Sequence, residues 1–114
     1  RQRSGDLKAA QQMFARVVEI DPSFAKGHVN LGLVLKQMGQ LQAAIAHYQQ
    51  AIQLQPDYAE AYQNLGVVRL KLGQVPQAIA AFRDAIALHE SHNSLEAERL
   101  RQGLADLGFL NLED

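Results

Sequence analysis

The chain has no cysteine and no tryptophan among its 114 residues, and only three prolines. Without thiols it forms neither disulfides nor thiolate metal sites, a composition suited to a reducing compartment such as the cytoplasm. No apolar stretch approaches the roughly 20 residues needed to cross a bilayer as a helix, so no membrane contact is expected of this segment. Charge of one sign is also lacking: 11 basic and 12 acidic side chains give a formal net charge of −1. Nucleic-acid affinity rests largely on neutralising phosphates. The short basic runs at Arg1–Arg3 and Arg99–Arg101 make no basic stripe, so nucleic acid is not an expected partner. The first residue is Arg1 rather than Met, which reads as a fragment or processed product whose upstream anchor or domain would not be displayed.

What is present is an apolar fraction of 47%, ordinary for a globular domain, and a repeat. Residues 30–52 read NLGLVLKQMGQLQAAIAHYQQAI, and residues 64–86 read NLGVVRLKLGQVPQAIAAFRDAI. Aligned without a gap, residues 25–58 and 59–92 share 13 of 34 positions, among them Asn30/Asn64, Gly32/Gly66, Gly39/Gly73, Ala44/Ala78 and Ala51/Ala85. A further 34 residues back, Gly5, Ala10, Phe14 and Pro22 stand opposite Gly39, Ala44, Tyr48 and Pro56. A fixed period of this size marks a protein of stacked repeats. Residues 5–24 then form a half repeat holding a second helix only, followed by full repeats at 25–58 and 59–92.

Within each repeat the apolar spacing is helical. Val29, Leu31, Val34, Leu35 and Met38 predict a helix over Ala25–Met38, which Gly39 ends in a left-handed conformation. Leu41, Ala44, Ile45, Tyr48 and Ile52 predict a second over Leu41–Leu54, stopped by Pro56. Equivalent spacing predicts helices over Asp6–Ile20 and Val75–Leu88, with Pro76 harmless in a first turn. Gly32, Ala44 and Ala51 would let helices approach closely, and Leu31, Tyr48 and Ile52 would fill the space between them. Asn93 and Glu96 predict a capping box. The helix behind it has an apolar stripe at Ala97, Leu100, Leu104 and Leu107 and ends at Gly108. With the tail Phe109–Leu112 packed beneath, residues 93–112 would cap the stack.

The residues His28, Leu31, Gly32, Leu35, Ala44, Tyr48 and Pro56, and again Tyr62, Leu65, Gly66, Arg69, Ala78 and Phe82, resemble the tetratricopeptide repeat signature. The chain departs from it at His28 and Arg69, where aromatic residues are usual, and at Glu90 in place of proline. The resemblance implies an all-α fold: a right-handed α-α superhelix, or solenoid, of helical hairpins with a C-terminal capping helix. It also implies a protein or peptide partner held in a concave groove lined by the first helix of each repeat. The lining residues would be Lys26, Val29, Asn30, Leu33, Lys36 and Gln37, then Glu60, Gln63, Asn64, Val67, Leu70 and Lys71. Val29, Leu33, Val67 and Leu70 fall beside the core stripe, and apolar side chains left over there call for a cover. A neighbouring helix of the same protein is the alternative cover. The amides of Asn30 and Asn64 can both donate and accept, so they could pair with the backbone of a bound segment. The chaperone-tail clamp of some relatives is not expected, because Val29, Leu33, Glu60 and Asn64 stand where its Lys, Asn and Arg would be.

No catalytic centre or cofactor is expected. His28 reads as a packed, hydrogen-bonded residue at the core edge, and His47 as solvated. His89 and His92, three apart in HESH, have a spacing that suits two metal ligands on one helical face, but no third ligand is evident. Asp57 and Glu60 read as helix capping and dipole compensation, and no Gly-rich phosphate loop exists. The leading functional reading is a protein-interaction scaffold, with a role in complex assembly. A second is self-association as a homodimer or filament through the uncovered Leu7, Met13, Phe14, Val17 and Val18 of the first helix. A third is a regulatory segment of a larger enzyme. The closing stretch ALHESHNSLEAERLRQGLADLGFL is similar to the ends of repeat proteins of cyanobacteria and plastids, photosystem-assembly factors among them, which would place the protein in such an interior.

Overall fold

Two glycines set the geometry of the repeat, one by bending the chain and one by making room for a ring. In a computed structural model of the protein, residues 3–92 and 94–108 are described. They form six helices and, among the described residues, no strand: α1 (Arg3–Ile20), α2 (Ala25–Gln37), α3 (Leu41–Leu54), α4 (Ala59–Lys71), α5 (Val75–His92) and α6 (Ser94–Asp106). They group into two units, Arg1–Pro56 with α1–α3 and Asp57–Asp114 with α4–α6.

The bend between paired helices is the same in both units. Gly39 and Gly73 take φ of +82° and +78°, a region that costs other residues about 1–2 kcal/mol. At Gly39 the amide bonds to the Lys36 carbonyl at 3.0 Å and the next amide, of Gln40, to the Leu35 carbonyl at 2.9 Å. Gly73 and Gln74 repeat this against Leu70 and Arg69. This pair of bonds is the Schellman closure. The Gln40 and Gln74 carbonyls then accept from the Ala44 and Ala78 amides at 3.1 and 2.9 Å, so one residue ends a helix and starts the next. Arg69, in place of an aromatic residue, is put to use here: its guanidinium donates to Gln74 Oε1 at 2.8 Å across the turn.

In the first unit, α3 lies against α2 with the Tyr48 ring over Gly32. A Cβ on Gly32 would sit 2.6 Å from the ring. Ala44, Ala51 and Tyr48 are fully buried, whereas Ile52 is only half-buried. α1 covers another side of α2, with Val17, Val18 and Phe24 closing on Gly27. In the second unit the Phe82 ring lies 2.9 Å from a Cβ on Gly66, and Ala78 and Ala85 are fully buried. Here α6 joins the pair: Ala97 and Leu104 enter the cluster of Ala78, Phe82 and Ile86.

Several boundaries depart from the sequence reading. α5 does not end at Leu88 but runs to His92, because Glu90 stands where Pro56 ends the preceding repeat, and nothing stops the helix. The added turn brings Glu90 into a salt bridge with Arg101 of α6. Tyr58, not Asp57, is the N-cap residue of α4, and no side chain caps it. Leu107 is 60% exposed, outside the buried part of its stripe. Asn93 and Phe109–Leu112 lie outside the described residues.

α6 is a third leading helix displaced by one residue. Gly108, with φ of +94°, follows Gly73 by 35 positions, and Leu100 and Leu107 match Leu65 and Leu72 in that register. The shift puts Arg101 at the position of Gly66. A long cation replaces the ring seat, and it pairs with Glu98 as well as Glu90.

Gly32→Ala and Gly66→Ala should each cost about 1–3 kcal/mol, since a buried ring has nowhere to retreat. Gly103→Ala, whose Cβ meets nothing within 4 Å, should instead gain about 0.5–1 kcal/mol from helix propensity. Urea denaturation followed by circular dichroism measures all three, and the same sign at every site would contradict this packing.

Candidate functional site

The outward sides of α2 and α4, each within its own unit, carry the residues expected to meet a partner. On α2, Lys26 and Gln37 are exposed, and Asn30, Leu33 and Lys36 are half-buried. Val29 does not belong with them: at 1% exposure it is among the most buried side chains in the chain. A helix covered by α1 as well as α3 buries more of its circumference than one stripe. On α4, Glu60 and Lys71 are exposed and Asn64 is half-buried. Gln63 is engaged with α5, its Oε1 accepting from His89 Nε2 at 3.3 Å. Val67 and Leu70 pack against the cluster that includes Ala97 and Leu104. Helices of the same unit thus cover part of each, and both are half-buried.

Lys26, Asn30, Leu33, Lys36 and Gln37 remain on α2, and Glu60, Asn64 and Lys71 on α4. Asn30 and Asn64, 34 positions apart, form no side-chain hydrogen bond among the described residues. A half-buried amide with its donors and acceptor unspent suits a peptide backbone.

His28 is packed and hydrogen-bonded as expected, whereas His47 differs from expectation. His28 is buried at 6% exposure and held by the Pro22 carbonyl at 2.9 Å. His47 is not solvated. It is half-buried, with Nδ1 3.1 Å from Nδ1 of His28, and burial, then the neighbouring His28, hold its pKa below the ordinary histidine value. In the second unit the equivalent positions are Tyr62 and Ala81. Burial and then Asp84 raise the Tyr62 phenol pKa, so it stays a neutral donor at physiological pH. Among the described residues, no group of three or more His, Cys, Asp or Glu side chains could hold a metal ion, and no helix is long and apolar enough to cross a membrane.

Paired helices repeated at a fixed spacing define a helical-repeat protein of the all-α class. Models of the tetratricopeptide repeat match residues 34–73 and 59–92, together spanning residues 34–92. The chain belongs to the tetratricopeptide repeat family, a family of protein–protein interaction modules. No curated protein sequence matches it. Among solved structures it is similar to MamA, at 25% identity and a TM-score of 0.75, over 93% of this chain and 61% of that one. It therefore spans about three fifths of that MamA chain. MamA residues 41 to the end from Desulfovibrio magneticus RS-1 match at 27% identity over 78% of this chain and 50% of that one, with a TM-score of 0.73. The TPR2B domain of yeast Sti1, solved as a complex with pHsp70, matches at 18% identity over 91% of this chain and 86% of that one, with a TM-score of 0.80. At that identity it speaks to the fold alone.

Val29→Ala should lower stability by about 2 kcal/mol through lost burial and the cavity left behind. Gln37→Ala, at an exposed position, should change it by less than about 0.5 kcal/mol. Denaturant midpoints measure the contrast.

Proposed function

We propose that this chain is a receptor for short segments of another protein, extended or helical, taken up within each unit on the outward side of its leading helix, α2 in the first unit and α4 in the second. The observation that carries this reading is the pair Asn30 and Asn64. Both are half-buried at equivalent positions, and neither amide is used by a described residue. Leu33, half-buried beside Asn30's turn, offers an apolar contact. Charge narrows the ligand. Between Pro22 and Pro56 there is no Asp or Glu, and the Lys26 cation is exposed on α2. A segment lying on α2 therefore pairs best if it carries carboxylates around an apolar anchor. The pHsp70 complex of the Sti1 domain is an example of the fold holding a protein ligand. A clamp for a terminal carboxylate is not part of this proposal, since Leu33 and Glu60 occupy positions where it needs polar or cationic groups.

Selection from a displayed peptide library tests the reading. Wild-type protein should enrich peptides with Asp or Glu flanking an apolar residue. The double variant Leu33→Ala, Asn64→Ala should lose at least tenfold in affinity for them with its helical circular dichroism unchanged. Unchanged affinity in that variant would remove these helices as the site.

A second reading, self-association through α1, is favoured by exposed apolar side chains: Met13 at 56%, Ile20 at 74% and, just beyond the helix, Phe24 at 44%. Burying such area is favourable at about 25 cal/mol per Å². Sedimentation over a wide concentration range should show a reversible dimer or larger species that Met13→Lys abolishes, and a strictly monomeric wild type would end this reading.

A further inference from the structure

The His28–His47 contact has a geometry that allows one assignment of its hydrogens when both rings are neutral. Pro22 offers a carbonyl, which only accepts, so His28 Nε2 carries a hydrogen. A neutral ring holds one N–H, so His28 Nδ1 is an acceptor and His47 must donate to it through Nδ1. The ring centroids are 5.4 Å apart with planes within 25° of each other. That separation is the 3.1 Å between the nitrogens plus one ring radius at each end, so the imidazoles lie end to end rather than face to face. The Nδ1–H bond therefore points straight at its acceptor. His47 Nε2 is left with a lone pair.

This chain, from the Pro22 carbonyl through His28 to His47, joins the α1–α2 turn, α2 and α3 within one unit. We propose that the His28–His47 pair is a proton-operated latch between α2 and α3, closed with no proton or one proton added and open with two. A first proton enters at the free His47 Nε2, and the Nδ1 hydrogen between the rings passes to His28, which then carries the charge. His28 Nδ1–H now donates to His47 Nδ1 as a charge-assisted bond. A second proton has only that Nδ1 of His47 to occupy. Two N–H groups would then face each other at hydrogen-bond distance on two cations, and His47 must swing away.

The surroundings do not offset this charge. α3 carries Tyr48 as its only other titratable side chain, and α2 carries Lys26 and Lys36, both cationic. In the turn, Asp21 is engaged by the Ser23 hydroxyl at 2.8 Å. On α1, Arg16 and Glu19 pair with each other at the surface, and Asp6 and Lys8 stand two or more turns away from Val17. His28 is the one charge that moves the His47 pKa, and it moves it in the same direction as burial. The sign follows. The unfolded chain takes up protons near the ordinary value of about 6.5, and folded His47, held lower by burial and then by His28, resists its proton. The latch's contribution to stability is therefore complete above about pH 6.5 and is lost progressively as pH falls below it.

Nitrogen-detected NMR of the full chain reads the pair directly. At pH 8 His28 should show the Nε2–H tautomer and His47 the Nδ1–H tautomer, and titration should give two separated steps for the pair. The paired variant is His47→Gln, whose amide can still donate to His28 but does not titrate. The wild type's urea midpoint should fall more between pH 7.5 and pH 5 than that of His47→Gln. Both rings in the Nε2–H form at pH 8, titrating independently in unshifted single steps, would overturn the latch. So would an equal fall of the midpoint in variant and wild type. If the variant does not fold, the tautomer and titration measurement on the wild type decides alone.

Discussion

The contact between a glycine and a ring 16 residues later is what the rest of each unit depends on. Tyr48 over Gly32 and Phe82 over Gly66 leave no room for a methyl group, so the two backbones approach more closely than any other residue would permit. That approach lets Ala44, Ala51, Ala78 and Ala85 become fully buried with side chains of one carbon. It also fixes the rotation of α2 and α4 about their own axes. Once the glycine faces its ring, Asn30 and Asn64, two positions before it, are held at the margin of the packed side, half-buried and available.

The two units then diverge in what they do with the same frame. The first is covered by α1 and tied by a histidine pair, and its stretch from Pro22 to Pro56 holds no carboxylate side chain. The second loses its terminating proline, lengthens α5, and meets α6 through an Arg101–Glu90 ion pair. Exposed ion pairs contribute little to stability. Arg101 places a long side chain at the position where Gly32 and Gly66 face a ring, and it pairs there with Glu90 and Glu98.

Most of the fold was legible because it is written in residues with few alternatives. Gly39 and Gly73 announce positive φ, Pro56 announces a stop, and the absence of proline at Glu90 could have announced that α5 continues. α6 as a displaced leading helix was legible too, once a single inserted residue is allowed between the registers of Gly73 and Gly108. The candidate site was read less well, for a physical reason. Periodicity places a residue on a face of a helix but does not count the neighbours covering that face. Val29 lies off one stripe, the mark of a lining residue, yet α2 has covers on two sides and Val29 is buried. Val67 and Leu70 pack against the cluster that α5 and α6 share. The His28–His47 bond depends on the register between α2 and α3 at positions 19 apart, and no local pattern marks it, since the second unit places Tyr62 and Ala81 there.

A double-mutant cycle tests the dependence on the glycine–ring contact most directly. If the cost of a methyl group at Gly66 comes from the Phe82 ring, removing the ring must remove the cost. In a Phe82→Leu background, Gly66→Ala should become neutral or stabilising, a coupling of about 1–3 kcal/mol relative to the wild-type background. The same penalty in both backgrounds would mean that the ring does not set the approach of α4 and α5, and that the account of the repeat built on it is wrong.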